Sequence, residues 1–423
     1  MTLTIIIVSY NVRYFLEQCL KSVIRASHTL DVDIVVVDNG SEDDSVVMVQ
    51  TLFPLVKLIA NDDNKGFSKA NNQAIRQSES DYILLLNPDT VLEETTLIRT
   101  LDFMVNHPEA GGLGIKMIDG KGHFLPESKR GLPTPWASIC KMSHLSQLFP
   151  RSKVFNQYYM GFLPENKTNK VEVLAGAFML LRRKVLDKIG LLDEDFFMYG
   201  EDIDLSFRIT QSGYFNYYFP EARMLHYKGE STRKSSLNYI RLFYGAMLIF
   251  ARKHFAGKNE LLLSLVILPG VYLRAAIAMI YRLLNSFSHS SSWSLFSKTL
   301  NKIIHSFFGN KFKSHPEVKK GIVLIIANQS EATLINDLIN KNTSRNVTTS
   351  TVTINNKDIE DRIRQIHPDE IIFSASDLTT ELIISLMIRL KIYSIPFRIA
   401  HTDNNTIIGT NFVRTYPNVK AIA

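Results

Sequence analysis

Along the first ninety positions, apolar residues fall into two alternating patterns. Residues 4–8 (TIIIV) and 82–86 (YILLL) are continuous apolar runs, as expected of strands covered on both faces. Residues 33–37 and 56–59 read as two more strands. Between them, Phe15, Leu16, Leu20, Val23 and Ile24 recur at helical spacing across 13–27. Residues 41–44 (SEDD) read as a capping box that opens a helix running to residue 52. Residues 67–77 form a third helix. Strands and helices that alternate over short connections predict a doubly wound, largely parallel α/β sheet.

The pattern breaks from 120 to 170, where Pro, Gly, Lys and Ser are frequent; this stretch reads as loops and short helices over a cleft. It resumes at 171. A strongly apolar helical stretch covers about 238–285, a linker with a basic helical piece follows to 318, and α/β alternation returns from 321. The expected division is residues 1–235 as the main α/β domain, 236–318 as an apolar, basic, membrane-associating segment, and 319–423 as a small α/β domain. In that last part the strands are GIVLIIA, TSTVTI, EIIFSAS and FRIA, with helices near 331–341 and 378–391. FRIA is the last strand the pattern predicts, so this domain is expected to be incomplete.

Residues 261–284 are long enough to cross a bilayer, for which about 20 residues are needed. Arg274 lies inside the stretch and Pro269-Gly270 breaks it. A central arginine costs about 2.5–3.5 kcal/mol on insertion scales. In-plane or re-entrant association ranks first, a true span second and a buried soluble helix third. Arg241, Arg252, Lys253, His254 and Lys258 flank the stretch. They contribute to a net charge of +7, which suits an anionic lipid or a phosphorylated substrate. No basic arm of the nucleic-acid type is present. Cys19 and Cys140 stand outside any CxxC pair, which excludes a thiolate zinc site and disfavours a disulfide framework. With no basic n-region at the start, the reading places the protein on the cytoplasmic face of the membrane.

In an open parallel sheet, ligands bind beyond the carboxyl ends of the strands. Here those ends carry Ser9-Tyr10-Asn11, Asp38-Asn39-Gly40-Ser41, the 61–66 stretch NDDNKG, and Asn87-Pro88-Asp89. Turn chemistry explains any one of these; four at one edge point to a site. Neither GxGxxG nor GxxxxGK[ST] is present, so a nucleotide held here needs side chains and a cation. Asp38 suits a base or ribose, and Asp89 a divalent cation bridging a diphosphate. A second constellation places Glu201, Asp202 and Asp204 behind Phe196-Phe197-Met198-Tyr199, with His226 downstream. Acids at a helix start suit the dipole; a carboxylate against aromatic walls equally suits a general base.

The ordered motifs IIIVSYN, VVVDNGSEDDS, NKGFSKANN, LLLNPD, GAFMLLRR, FFMYGEDIDLSFR and HYKGES resemble those of family 2 glycosyltransferases of the GT-A fold, in the rhamnosyltransferase-like branch. The resemblance covers about residues 3–233. It implies a GT-A (nucleotide-diphospho-sugar transferase) domain followed by the apolar segment and a small Rossmann-like domain. Tyr10, Asn11 and Asp38 would hold the nucleoside. Asn64 and Gly66 would shape the diphosphate side, and Asn87 would lie along the donor. Asp89 would bind the cation, Mg²⁺ or Mn²⁺, with His226 as a further ligand, and Asp202 would be the base. Asn71-Asn72 replaces the Arg-Asn of many relatives, and Lys65, Lys69 or Arg208 could supply the missing charge. The implied partners are a nucleotide diphosphate sugar, with rhamnose as the sugar of the branch, and a glycan or lipid-linked acceptor at the cytoplasmic membrane surface. Processive synthases of the same fold carry a Gln-x-x-Arg-Trp element, absent at Trp136 and Trp293. A non-catalytic sugar-nucleotide or glycan-binding protein is the alternative of a different class.

Overall fold

The computed structural model describes residues 1–228, 237–255, 321–341, 347–353, 359–410 and 412–415. Four parallel strands build one half of a nine-stranded sheet: β1 (Leu3–Ser9), β2 (Val32–Asp38), β3 (Lys57–Ala60) and β4 (Tyr82–Leu86). The crossover helices between them are α1 (Arg13–Ser27), α2 (Ser45–Leu52) and α3 (Phe67–Arg76). In register, Ser9 faces Asp38 and Asp38 faces Ala60, while Ile7 faces Leu86. The polar turns after all four strands therefore emerge along one edge.

The other half is mixed. It contains β5 (Thr90–Leu92), β6 (Ala110–Ile118), β7 (Asn169–Val171), β8 (Phe178–Arg182) and the long β9 (Phe215–His226). The order is β3-β2-β1-β4-β8-β6-β9-β5, with β7 paired to β9. Helix α4 (Thr96–Asn106) follows β5. The short α5 (Pro135–Met142) and α6 (Leu145–Leu148) lie in the irregular stretch, and α7 (Arg183–Ile189) and α8 (Glu201–Gln211) precede β9. One core packs α1, α2 and α4 on one face of the sheet; a second packs α3, α7 and α8 on the other. Strands β1 and β4 are buried throughout because both faces are covered.

The SEDD segment is not a capping box. Asp44, the residue before α2, is left-handed at φ 60° and makes no side-chain cap. Ser41 bonds to Asp38, while Asp43 accepts the Arg13 N–H at the start of α1 with one oxygen and the Ser45 N–H and hydroxyl with the other. The local sequence satisfied the motif, but neighbouring turns compete for the same side chains.

Helix α9 (Leu237–Phe255) is the described part of the apolar stretch, and it packs against the main sheet unit. Ala246 and Phe250 bury against Phe196. His254 Nε2 lies 2.7 Å from Asp204, and Lys253 pairs with Asp193 and Asp195. Two of the bases expected to flank a membrane segment thus bind protein carboxylates. Residues 261–284 lie outside the described residues. Among those described, no helix is long and apolar enough to cross a membrane.

A second, six-stranded sheet follows the order β11-β10-β12-β13-β14-β15. Its strands are β10 (Gly321–Ile326), β11 (Val347–Val352), β12 (Glu370–Ser374), β13 (Phe397–His401), β14 (Thr406–Gly409) and β15 (Phe412–Thr415). The first four are parallel and carry α10 (Gln329–Lys341), α11 (Ile359–Ile366) and α12 (Thr380–Leu390). The antiparallel β14 and β15 extend the sheet beyond FRIA. This unit shares a core with the first: Phe15, Val91, Leu225 and Tyr227 pack with Phe373, Ile383 and Met387. Across the same join, the Glu94 carboxylate accepts the Thr380 and Glu381 backbone N–H groups, capping α12 from the first unit.

Candidate functional site

Tyr10 closes β1 as an exposed ring (39%), and Asn11 turns the chain in the left-handed region at φ 53°. Asn11 ties two turns together: its N–H donates to Ser41 Oγ, and its Oδ1 accepts the Glu42 N–H at 2.8 Å. Asp38 is buried, and both its oxygens accept from Ser41, one from the N–H and one from the hydroxyl. These bonds fold the 38–41 turn, and each oxygen retains further acceptor capacity.

Asn64 Oδ1 accepts the Gly66 N–H at 3.0 Å and faces Asn39 Nδ2 at 3.4 Å. Gly66 has φ 85°, and a Cβ there would come within 2.6 Å of the Phe197 carbonyl oxygen. The same carbonyl accepts the Phe67 N–H at 2.7 Å. Glycine is required both for the backbone conformation and for this approach. The contact places the 61–66 turn directly against the aromatic segment that leads into α8.

The half-buried Asn87 donates its N–H to the Ala177 carbonyl and accepts the Thr90 hydroxyl on its own carbonyl. Asp89 is 3% exposed and lies 3.3 Å from His226 Nε2. The two meet because β5 and β9 pair antiparallel with Thr90 opposite His226. One carboxylate and one imidazole are a partial donor set for a hard cation, completed by diphosphate oxygens and water. Alone, the pair supplies two of the donors a divalent cation needs. Among the described residues no group of three or more His, Cys, Asp or Glu forms a self-sufficient metal cage.

Asp202 sits in the first turn of α8, which starts from Gly200 at φ 90°. Its Oδ1 accepts the Ile203 N–H at 2.8 Å, and its Oδ2 accepts the Gly176 N–H at 3.3 Å and pairs with the Arg130 guanidinium. The turn at 174–177 is the hub of the site. Leu174 C=O accepts Arg130, Gly176 N–H donates to Asp202, and Ala177 C=O accepts the Asn87 N–H. Neither Arg130 nor this turn carries a periodic signal; GAFMLLRR marked the place without showing its contacts.

The neighbouring acids part company. Glu201 is 6% exposed with one oxygen unpartnered, and burial, then the nearby Asp202 charge, pushes it well above the usual carboxylate range. Asp204 is engaged by Arg208 and His254, which removes it as a rival base. Arg208 also donates to the Ile189, Gly190 and Leu191 carbonyls, so it does not supply the charge absent at Asn71. Asn72 clamps Leu192 and Glu194, and Asn71 bonds back to Phe67; both hold helix α3. Lys65 pairs with Asp63, and Lys69 is exposed. Cys19 is buried, and burial pushes its thiol up to about 12, which rules out a thiolate nucleophile there.

A family model, glycosyl transferase family 2, matches residues 4–190. An N-acetylglucosaminyl-diphospho-decaprenol L-rhamnosyltransferase of Mycobacterium tuberculosis is 29% identical over 268 residues, covering 60% of this chain and 85% of that protein. The rhamnosyltransferase WbbL of Escherichia coli is 26% identical over 177 residues, or 40% of this chain and 63% of its own. A solved mannosyltransferase of Pyrobaculum calidifontis, in complex with GDP-Man and Mn²⁺, aligns at a TM-score of 0.43 with 17% identity, covering 72% of this chain and 80% of that one. The non-catalytic alternative finds no support among these relatives.

Proposed function

We propose that this chain, whose residues 4–190 match the glycosyl transferase family 2 model, moves a sugar, rhamnose by its relatives, from a nucleotide diphosphate sugar to a lipid-linked or glycan acceptor, with inversion at the anomeric carbon. The observation that carries this reading is the contact of Gly66 and Phe67 with Phe197, which joins the donor edge and the acid segment into one site.

Tyr10 offers an exposed ring for the nucleobase, and Asn11 and Asp38 hold the two turns that flank it. Asn64 and Gly66 shape the floor beside the diphosphate. Asp89 and His226 would hold a divalent cation, which when bound supplies positive charge to the departing diphosphate. Asp202 takes the proton of the acceptor hydroxyl. The acceptor oxygen then bonds to the anomeric carbon, and the carbon–oxygen bond to the diphosphate breaks, its electron pair leaving with the nucleoside diphosphate. Arg130 and the Gly176 N–H fix the orientation of Asp202, which must come within hydrogen-bond reach of the acceptor. Glu201, buried and raised, is an acid rather than a base near neutral pH.

The test is a donor screen: purified protein with a panel of nucleotide sugars and Mg²⁺ or Mn²⁺, reading released nucleoside diphosphate. Release from a deoxythymidine diphosphate rhamnose donor is expected. Release from none of the panel, with or without a membrane acceptor, overturns the reading.

A further inference from the structure

Helices α5 and α6 and the loop after them stand out in charge. No acid occurs between Glu127 and Glu165, although the chain carries 41 Asp and Glu in 423 residues. Lys129, Arg130, Lys141, Arg151 and Lys153 all fall in that interval. Lys129, Arg130 and Lys141 are turned inward, to the Met160 and Leu163 carbonyls, to Asp202 and to the Tyr158 ring respectively. Arg151 and Lys153 are exposed and make no ion pair among the described residues.

The same outer surface is apolar. Trp136 is 44% exposed and Leu148 70%, and Ile139, Phe149 and Val154 are exposed beside them. Trp136 and Ile139 share one face of α5, whose other face buries Ala137 and Cys140. Trp136 is pinned by its indole N–H to the Val154 carbonyl at 2.9 Å, so the patch is a built surface rather than a set of loose side chains. Exposed aromatic and aliphatic side chains next to unpaired bases, in a stretch free of acids, match the interface between water and an anionic bilayer. A second copy of this chain would bring like charges together on the same patch.

The root of this segment is at the site. Arg130 holds Asp202, Gly131 N–H donates to the Tyr158 carbonyl at 3.0 Å, and Leu132 packs with Phe196, Tyr199 and Ile203. A surface seated on α5 and α6 therefore lies beside the acceptor side of the acid segment.

We propose that the 135–155 surface, with Trp136, Ile139, Leu148 and Phe149 inserted and Arg151 and Lys153 on the headgroups, docks the protein on an anionic lipid bilayer and so presents a lipid-linked acceptor to Asp202. Acceptor delivery rests on the glycosyltransferase reading; the docking itself does not.

The experiment uses the full chain carrying Trp293→Phe, which leaves Trp136 as its one tryptophan. It is mixed with vesicles of phosphatidylethanolamine and phosphatidylglycerol, or of phosphatidylcholine alone. Trp136 emission is expected to shift to the blue on the anionic vesicles. Arg151→Ala with Lys153→Ala should weaken binding about thirty-fold at low salt, with less difference at high salt. In the otherwise native chain, Trp136→Ser with Phe149→Ser should lower binding to the same vesicles while nucleoside diphosphate release from donor alone stays parental. Binding without a Trp136 shift puts attachment elsewhere and overturns the proposal, as does an absence of binding. Concentration-dependent sedimentation without lipid that Trp136→Ser abolishes assigns the patch to a second copy and overturns it too. A Trp136 shift in a protein that releases nucleoside diphosphate from no donor supports the docking and refutes the enzymatic reading separately.

Discussion

The two sheets of this molecule present the carboxyl edges of their parallel strands differently. Each has a switch point where the strand order reverses, between β1 and β4 in the first and between β10 and β12 in the second. At the first, Asn11 bonds to Ser41 and Glu42 and Asn87 to Ala177 and Thr90, and among the described residues no hydrogen bond joins Tyr10 or Asn11 to Asn87. At the second, Asn328 N–H donates to Asp377, and Glu331 accepts the Ser374 and Thr402 hydroxyls. Lys21 and Glu17 of α1 then bind Asp403 and Asn404. Burial, followed by the Lys21 charge, pushes His401 far down, so its imidazole is neutral. One topology thus yields two outcomes, because at the second edge the polar groups are spent on one another across the switch point.

The comparison predicts a steep ranking of effects. Asp202→Asn keeps the shape and removes the basicity, so turnover should fall about 10²- to 10⁴-fold with donor binding nearly unchanged. Near-parental turnover in this variant, with Glu201→Gln dead, would exchange the two roles. Asp89→Ala should weaken cation-dependent nucleotide binding on the order of 10²-fold, read by calorimetry with and without Mn²⁺. Equal binding by variant and parent would remove Asp89 from the cation site.

A third effect lies at the join. Glu93 is fully buried, and burial outweighs the Arg223 guanidinium 2.7 Å away, raising it from 4.5 to about 8. The folded chain then binds this proton more tightly than the unfolded chain. Its contribution to stability is full below about pH 4.5 and is lost as pH rises to about 8. Glu93→Gln should flatten the decline by up to about 1.4 kcal/mol per pH unit, measured as urea midpoints across that window. Parallel pH profiles for variant and parent would show that Arg223 keeps the carboxylate charged. The smallest effect tests the closed edge. Glu331→Ala should cost about 1–3 kcal/mol of stability and leave turnover and nucleotide binding parental. A loss of nucleotide binding at unchanged stability would make the second edge a site and end the distinction.

Periodicity alone located β1, β2 and β4 and the helices α1 and α3, because continuous apolar runs and amphipathic spacing depend on local burial. The polar turns after each strand were equally legible, and with them Tyr10, Asn11, Asp38, Asn64, Gly66, Asn87 and Asp89. The acid segment was legible as a cluster, but the division of labour within it was not. Glu201 buries, Asp204 binds Arg208 one helical turn on but also His254 50 positions away, and Asp202 meets Arg130 72 positions away. Partners at such separations leave no trace in a local pattern. The same reason hid the capping of α12 by Glu94 and the engagement of Lys253 and His254 by acids of the first unit. Side-chain type along the chain sets which groups are able to bond; packing of distant elements selects which of them do.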